Sequence, residues 1–225
     1  GEEVEEGSTV TYTVSTGPGT VSIPNVVGDG ENSALGALED AGFDCGTVHC
    51  DNTPATMLDP STHYDMVRVG IGLYGLYPCD SSRSVIKLDP VMSVRARVTR
   101  TAHPAMGEGV SYGYTYRVPR TAVQICTLPI GYADGLSRTL SNRMEVLYRG
   151  ERVRQVGNIC MDQCMVAIQQ TPIHQIPEAE YGDVMTIIGR DGDAEISADE
   201  MARLRGTINY EVVCDFGMRL DKVYL

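Results

Sequence analysis

From residue 90 onward the chain is written in short apolar runs broken by glycine-rich turns, and this pattern limits the fold more than any other feature. The runs are Val91 to Thr101, Ala122 to Ile130, Met144 to Tyr148, Cys164 to Ile168 and Asp183 to Ile188. Each has the length and the β-branched content of a strand. One helix is well marked there. Ser197 stands at its N-cap with Glu200 three residues on, a capping box, and Gly206 follows Met201 to Leu204 as a stop. Many short strands with one late helix predict a mainly β fold, with a β-barrel-like domain of about 135 residues.

Charge divides the chain. The total is 18 basic against 30 acidic residues, a formal −12, which argues against a nucleic-acid backbone or an anionic membrane surface as partner. Residues 1–48 hold Glu2, Glu3, Glu5, Glu6, Asp29, Glu31, Glu39, Asp40 and Asp44 and no Lys or Arg, so a module boundary is expected near residue 48. No apolar run reaches the roughly 18 residues of a membrane helix. The first residue is Gly, and the chain is expected to be a piece of a longer product. Seven cysteines, an odd number in a chain of 225 residues, predict free thiols and a reducing, cytoplasmic compartment.

In the acidic segment, Val10, Tyr12 and Val14 alternate with Thr9, Thr11 and Thr13, as in a half-buried strand. A Ser15-Thr16-Gly17-Pro18-Gly19 turn follows. After Pro24-Asn25-Val26-Val27-Gly28, Ala34, Leu35, Leu38 and Ala41 share one helical face and Gly42 ends the helix. This order, closing on Ala41-Gly42-Phe43, resembles the PASTA repeat over residues 1–48. The resemblance implies a small α/β module that contacts peptidoglycan outside the cell.

The rest of the chain carries a second, longer set of motifs. Asn52-Thr53, Asp65-Met66-Val67-Arg68-Val69-Gly70-Ile71-Gly72-Leu73-Tyr74-Gly75, Val110-Ser111-Tyr112-Gly113-Tyr114, Pro129-Ile130-Gly131-Tyr132-Ala133-Asp134-Gly135, Gly157-Asn158-Ile159-Cys160-Met161-Asp162-Gln163 and Thr207-Ile208-Asn209-Tyr210-Glu211 occur in one order. In this respect residues 49–225 resemble alanine racemase. The resemblance implies a TIM barrel followed by a β domain, a homodimer, pyridoxal 5'-phosphate as cofactor, and interconversion of L- and D-alanine for wall synthesis. It divides the chain into a 1–48 PASTA-like module, a 49–76 remnant of the last barrel strand, and a 77–225 β domain.

The same resemblance assigns roles. Thr53, Gly70, Ile71 and Tyr210 would bind the cofactor phosphate, Arg68 would face the pyridine nitrogen, and His49 would buttress Arg68. Family enzymes usually have Ser where Thr53 stands, and the hydroxyl is kept. A guanidinium at the ring nitrogen keeps that nitrogen unprotonated and weakens the ring as an electron sink. Tyr112 would be the second catalytic base, given across the dimer, although a phenol's pKa near 10 demands stabilisation of the phenolate. Met161 would offer its N–H to the substrate carboxylate, and Tyr132 and Arg138 would line the entrance. Asn158 is a departure, because Arg is common there. Taken singly, Arg68 reads as an ion-pairing arginine and each tyrosine as a core or interface aromatic.

No metal site is expected. Cys45-x3-His49-Cys50 is weak as a ligand set, and Cys160 and Cys164 read as buried free thiols. A pyridoxal racemase also needs a lysine bonded to the cofactor, which in the family lies on the first barrel strand. The chain has two lysines, Lys87 and Lys222, and neither stands in that motif. Three readings follow: a racemase C-terminal portion that is inactive without a barrel-bearing partner, a non-catalytic wall-related scaffold, or a fusion artefact joined at Val48-His49.

Overall fold

The computed structural model describes residues 20–119, 123–170 and 176–225. The expected strand over residues 8–14 and the turn at 15–19 lie outside the described residues. The helical reading of the following stretch is met by α1 (Glu31–Asp40), which buries no residue fully, and Gly42 ends it at φ 85° with its N–H on the Glu39 carbonyl.

Residues 49–76 do not form the single strand expected of them. They contain α2 (Thr53–Leu58), a 3-10 turn at Pro60–Thr62 and another at Ile71–Tyr74. Their one β pairing is an isolated parallel bridge between Asn52 and Arg68. An extended segment becomes a strand only when neighbours fill its backbone hydrogen bonds. Here each of the two short pieces has only the other.

The β domain begins with β1 (Val94–Arg97) and β2 (Arg100–Ala102), followed by β3 (Gly109–Val110) and β4 (Tyr116–Arg117), which pair as a small hairpin. Then come β5 (Val123–Leu128), β6 (Glu145–Tyr148), β7 (Glu151–Val156), β8 (Cys164–Gln169), β9 (Val184–Asp191) and β10 (Ala194–Ile196). The run expected from Val91 to Thr101 is thus two strands, and the reason lies in pairing. β1 lies antiparallel to β9 and β2 antiparallel to β5. At the bend between them, Val98 donates to Asp183 and the next residue, Thr99, to Thr127 on the opposite neighbour.

The strand order β1-β9-β6-β7-β8-β5-β2 begins and ends on the two halves of this bent segment, so the sheet curls back on itself in the barrel-like way expected. Inside, Leu128, Met144, Tyr148, Ile168, Met185 and Ile187 are at most 1% exposed. Burying one such side chain fully is worth about 1.5–3 kcal/mol. Ile71 and Leu76, from outside the β domain, belong to the same core.

The capped helix is α3 (Ala198–Arg205), with the Ser197 hydroxyl accepting from Glu200 N and Gly206 at φ 76°. A second helix, α4 (Asn209–Asp215), follows it and was not marked in the sequence. Its N-cap, Ile208, offers no side-chain bond, and tertiary contacts supply what local signals lack. Asn209 donates to the Tyr77 carbonyl at 2.9 Å and to Asp199 Oδ1 at 2.7 Å, while Val212 and Val213 enter the core.

Candidate active site

The residues singled out in the sequence fall into two groups. No hydrogen bond or ion pair among the described residues joins one group to the other.

The first group surrounds the Asn52–Arg68 bridge. Asn52 caps α2 through its side chain, so Thr53 opens the helix, buried at 4% exposure. Its Oγ1 accepts the Gly70 N–H at 2.9 Å, which leaves the hydroxyl proton free to be donated. Gly70 precedes the 3-10 turn that begins at the buried Ile71. Gly72 lets the two helical starts come together, because a Cβ there would lie 3.0 Å from both Met57 Cε and Thr53 Cγ2. The N–H groups that open a helical turn have no acceptor within it. At α2 Pro54 has no N–H and the Asn52 side chain already accepts from Ala55, so the donors left are the Thr53 hydroxyl and the N–H groups that open the Ile71–Tyr74 turn, a set suited to a phosphate without a full cation. In that sense the residues present fit the phosphate of pyridoxal phosphate.

Arg68 is exposed, and its Nη2 donates to the Cys50 carbonyl at 2.8 Å. The buttress expected from His49 is not seen. His49 is exposed and has no hydrogen bond to Arg68, because the backbone carbonyl of Cys50 holds the guanidinium instead. Tyr210 lies on α4, partly buried against the core, and burial pushes its phenol up, with Cys79 adding to the effect. Its hydroxyl makes no hydrogen bond to Thr53 or Gly70 among the described residues.

Two residues here were missed in the sequence. Asp51 is 1% exposed, and its Oδ2 has no hydrogen-bond partner. His63 Nε2 lies 3.9 Å from that oxygen and 2.9 Å from the Thr56 carbonyl. No motif or spacing marks this contact, which the fold makes across the length of α2.

The second group is built on loops of the barrel. Tyr112, 76% exposed, lies in a turn with three backbone departures: Ser111 at φ 64° and ψ 178°, Gly113 at φ 73° and Tyr114 at φ 50°. Such backbone costs on the order of 1–3 kcal/mol for each non-glycine residue. Gly131 allows the loop bearing Tyr132 to lie on the Cys160–Met161 backbone, since a Cβ there would be 2.3 Å from the Cys160 carbonyl oxygen. Tyr132 N donates to Cys160 O at 3.0 Å and Ala133 N to Met161 O at 2.8 Å. Tyr132 and Met161 stay 44% and 56% exposed, and Arg138 is exposed on the next 3-10 turn. The Tyr112 turn, with Cys160, Gln163 and Met165, lines an open recess of about 370 Å³.

Among the described residues there is no cluster of three or more metal-ligating side chains. All seven cysteines are free, and Cys160 and Cys164 are buried as expected. Lys87 is exposed with Nζ 4.0 Å from Asp89 Oδ1, and Lys222 is exposed near the C-terminus, so neither is in these two groups. No described helix is long and apolar enough to cross a membrane.

Comparison with known proteins decides the family. The family model of the alanine racemase C-terminal domain matches residues 91–224, and that of the N-terminal domain matches residues 31–78. The chain belongs to the alanine racemase family. The N-terminal match begins inside the acidic segment, so α1 falls within the racemase likeness. The alanine racemase of a Nostoc strain is 42% identical over 190 residues, which is 84% of this chain and 48% of that protein. Among solved structures, alanine racemase from Bacillus anthracis with bound L-Ala-P has a TM-score of 0.73 at 39% identity, covering 83% of this chain and 46% of that one. The Clostridium difficile 630 enzyme in complex with cycloserine has a TM-score of 0.76 at 36% identity, covering 86% and 49%. The chain thus spans about half the length of the relatives it matches. The family's enzymes are pyridoxal-phosphate dependent.

Proposed function

We propose that this chain supplies the second half of an alanine racemase site: part of the phosphate cradle on one side, and a tyrosine base for a partner's site on the other. The observation that carries this reading is the division of the site residues into two separate groups. A site completed between two subunits needs that division, whereas a self-contained pocket would bring them together.

In this reading the Thr53 hydroxyl, oriented by the Gly70 N–H it accepts, the N–H group at Ile71 and the Tyr210 phenol hold the phosphate, and Arg68 lies at the ring nitrogen. Pyridoxal phosphate, when bound, supplies an electron-withdrawing ring that makes the Cα–H of alanine acidic enough to leave. Tyr112 Oη removes or returns that proton on one face of Cα. The Met161 N–H binds the substrate carboxylate, while Tyr132 and Arg138 narrow the entrance and exclude water. A lysine on the opposite face comes from barrel sequence outside these 225 residues, so residues 1–225 hold one of the two bases that racemisation needs. The domain division into 1–48, 49–76 and 77–225 belongs to the same proposal. Seven free thiols favour a reducing, cytoplasmic setting for such an enzyme.

The test is rescue. An alanine racemase whose own second tyrosine is changed to Phe should regain activity when mixed with this chain and not when mixed with its Tyr112→Phe variant. Equal activity with both chains would remove Tyr112 from the reaction.

A further inference from the structure

The Tyr112 turn is held from outside itself. Residues 111–114 include one serine in a region of backbone space used almost only by glycine, and two further positive φ values. Backbone of this kind persists where its surroundings over-determine it. Those surroundings are the segment 155–159 and a tight turn at Ser141–Arg143.

Asn158 makes the direct link. Its Nδ2 donates to the Tyr112 carbonyl at 2.8 Å, and its own backbone carbonyl accepts from Ser111 Oγ at 2.6 Å. The bond pair ties Ser111, the first of the departures from regular backbone, and Tyr112 beside it to one residue. Gly157 brings the segments into contact, since a Cβ there would lie 2.7 Å from Ser111 Cβ and 2.8 Å from the Val110 carbonyl oxygen. Asn142 holds the arrangement from behind. Its Oδ1 accepts from Gly157 N at 2.7 Å, its Nδ2 donates to Thr115 Oγ1 at 3.1 Å, and its N–H is taken by Oε1 of the fully buried Gln155 at 2.7 Å.

We infer that Asn158 is the positioning residue of Tyr112, its side-chain amide fixing the peptide plane from which the exposed phenol projects. The inference rests on the reading of Tyr112 as a base, and it gives Asn158 a task in this chain that does not need the positive charge of an arginine. An amide is suited to it because the group to be held is a backbone carbonyl, an acceptor only. Removing the donor leaves Ser111 and Gly113 to relax toward commoner backbone, which swings the phenol away from a reacting carbon. Misplacement of a reacting group by about 1 Å can cost on the order of a hundredfold in rate.

The isosteric Asn158→Asp variant removes the donor and keeps the shape, and Asn158→Gln keeps a donor on a longer arm. In the full chain labelled at its tyrosine rings, with Tyr112→Phe and Tyr114→Phe to assign the signals, Asn158→Asp should shift and broaden the Tyr112 and Tyr114 resonances. Buried Tyr148 and the midpoint of thermal unfolding should stay put. In the mixed rescue assay the same variant should lower kcat by roughly ten- to a hundredfold with KM unchanged, and Asn158→Gln should recover part of it. Unmoved Tyr112 resonances would overturn the inference whatever the assay reads. So would a general shift of all tyrosines with a large fall in the unfolding midpoint, or moved resonances with kcat unchanged. If Tyr112→Phe itself leaves rescue intact, the role of Tyr112 fails, while the resonances still decide whether Asn158 holds the turn.

Discussion

The barrel-like sheet and the proposed phosphate cradle at residues 49–76 are two ways of holding backbone. In the barrel every central strand has two partners, and the interior is filled by side chains with no measurable exposure, such as Met185 and Ile187. In the cradle one parallel bridge, one capped helix of six residues and a hydroxyl-to-amide bond do the work, and Leu73 at its centre is 71% exposed. The difference teaches that a binding geometry can be fixed by a few polar contacts when a packed body anchors it. Here Ile71, 3% exposed, is the anchor that runs from the cradle into the barrel core.

The largest effects should come from breaking that contrast at its packed end. Met185→Ala should cost about 2–5 kcal/mol in denaturant unfolding, whereas Leu73→Ala should stay within about 0.5 kcal/mol. Ile71→Ala should fall with the barrel set and not with its neighbour Leu73. If Leu73→Ala proves as costly as Met185→Ala, the cradle is packed more tightly than its exposure implies.

A smaller effect concerns pH and belongs to the barrel alone. The Tyr148 hydroxyl donates to Asp183 Oδ2 at 2.7 Å and lies against the Glu178 carbonyl. Backbone and phenol hydrogen bonds hold the Asp183 carboxyl below its ordinary range, while burial and then the Asp183 bond push the Tyr148 phenol up to about 12. The depressed carboxyl stabilises the fold above pH of about 4 and loses that contribution as pH falls through its folded pKa. The raised phenol stabilises below pH of about 10 and loses its contribution as pH rises toward 12. Tyr148→Phe should flatten the alkaline loss and shrink the acid one in a series of unfolding midpoints. An unchanged alkaline limb would remove Tyr148 from it.

The smallest effect is kinetic and compares thiols across the two regions. Hydrogen bonds from Ser81 lower the exposed Cys79 thiol, the Asp51 carboxylate raises the exposed Cys50, and burial pushes Cys126 and Cys164 up to about 12. Alkylation near neutral pH, followed by peptide mass spectrometry, should mark Cys79 first and Cys50 more slowly. Cys126 and Cys164 should react only on unfolding. Labelling of Cys164 at the rate of Cys79 would mean that the barrel opens on that timescale.

Much of this was legible in the residues. Strand-length apolar runs, the Ser197 capping box and the Gly42 stop are local signals, and a chain obeys them wherever it lies. The six motifs carried the resemblance to alanine racemase, and the family match bears that resemblance out. What stayed illegible depends on partners distant in sequence. α4 has β-branched residues and no capping side chain, and it forms because Asn209 reaches Tyr77 and Asp199. Asn142 and Gln155 look like ordinary surface amides until the fold brings them behind the Tyr112 turn.

By itself, then, the sequence determined the class of the fold, the places where chain direction changes and the chemistry available on each loop, because periodicity, glycine and capping act over a few residues. Only the tertiary structure decided that the run from Val91 to Thr101 divides into two strands with opposite neighbours, that Cys50 and not His49 holds Arg68, and that Asn158 reaches Tyr112. Each of these is a choice among backbone acceptors or neighbours far apart in the chain, and it is made by which surfaces are brought together when the core is buried.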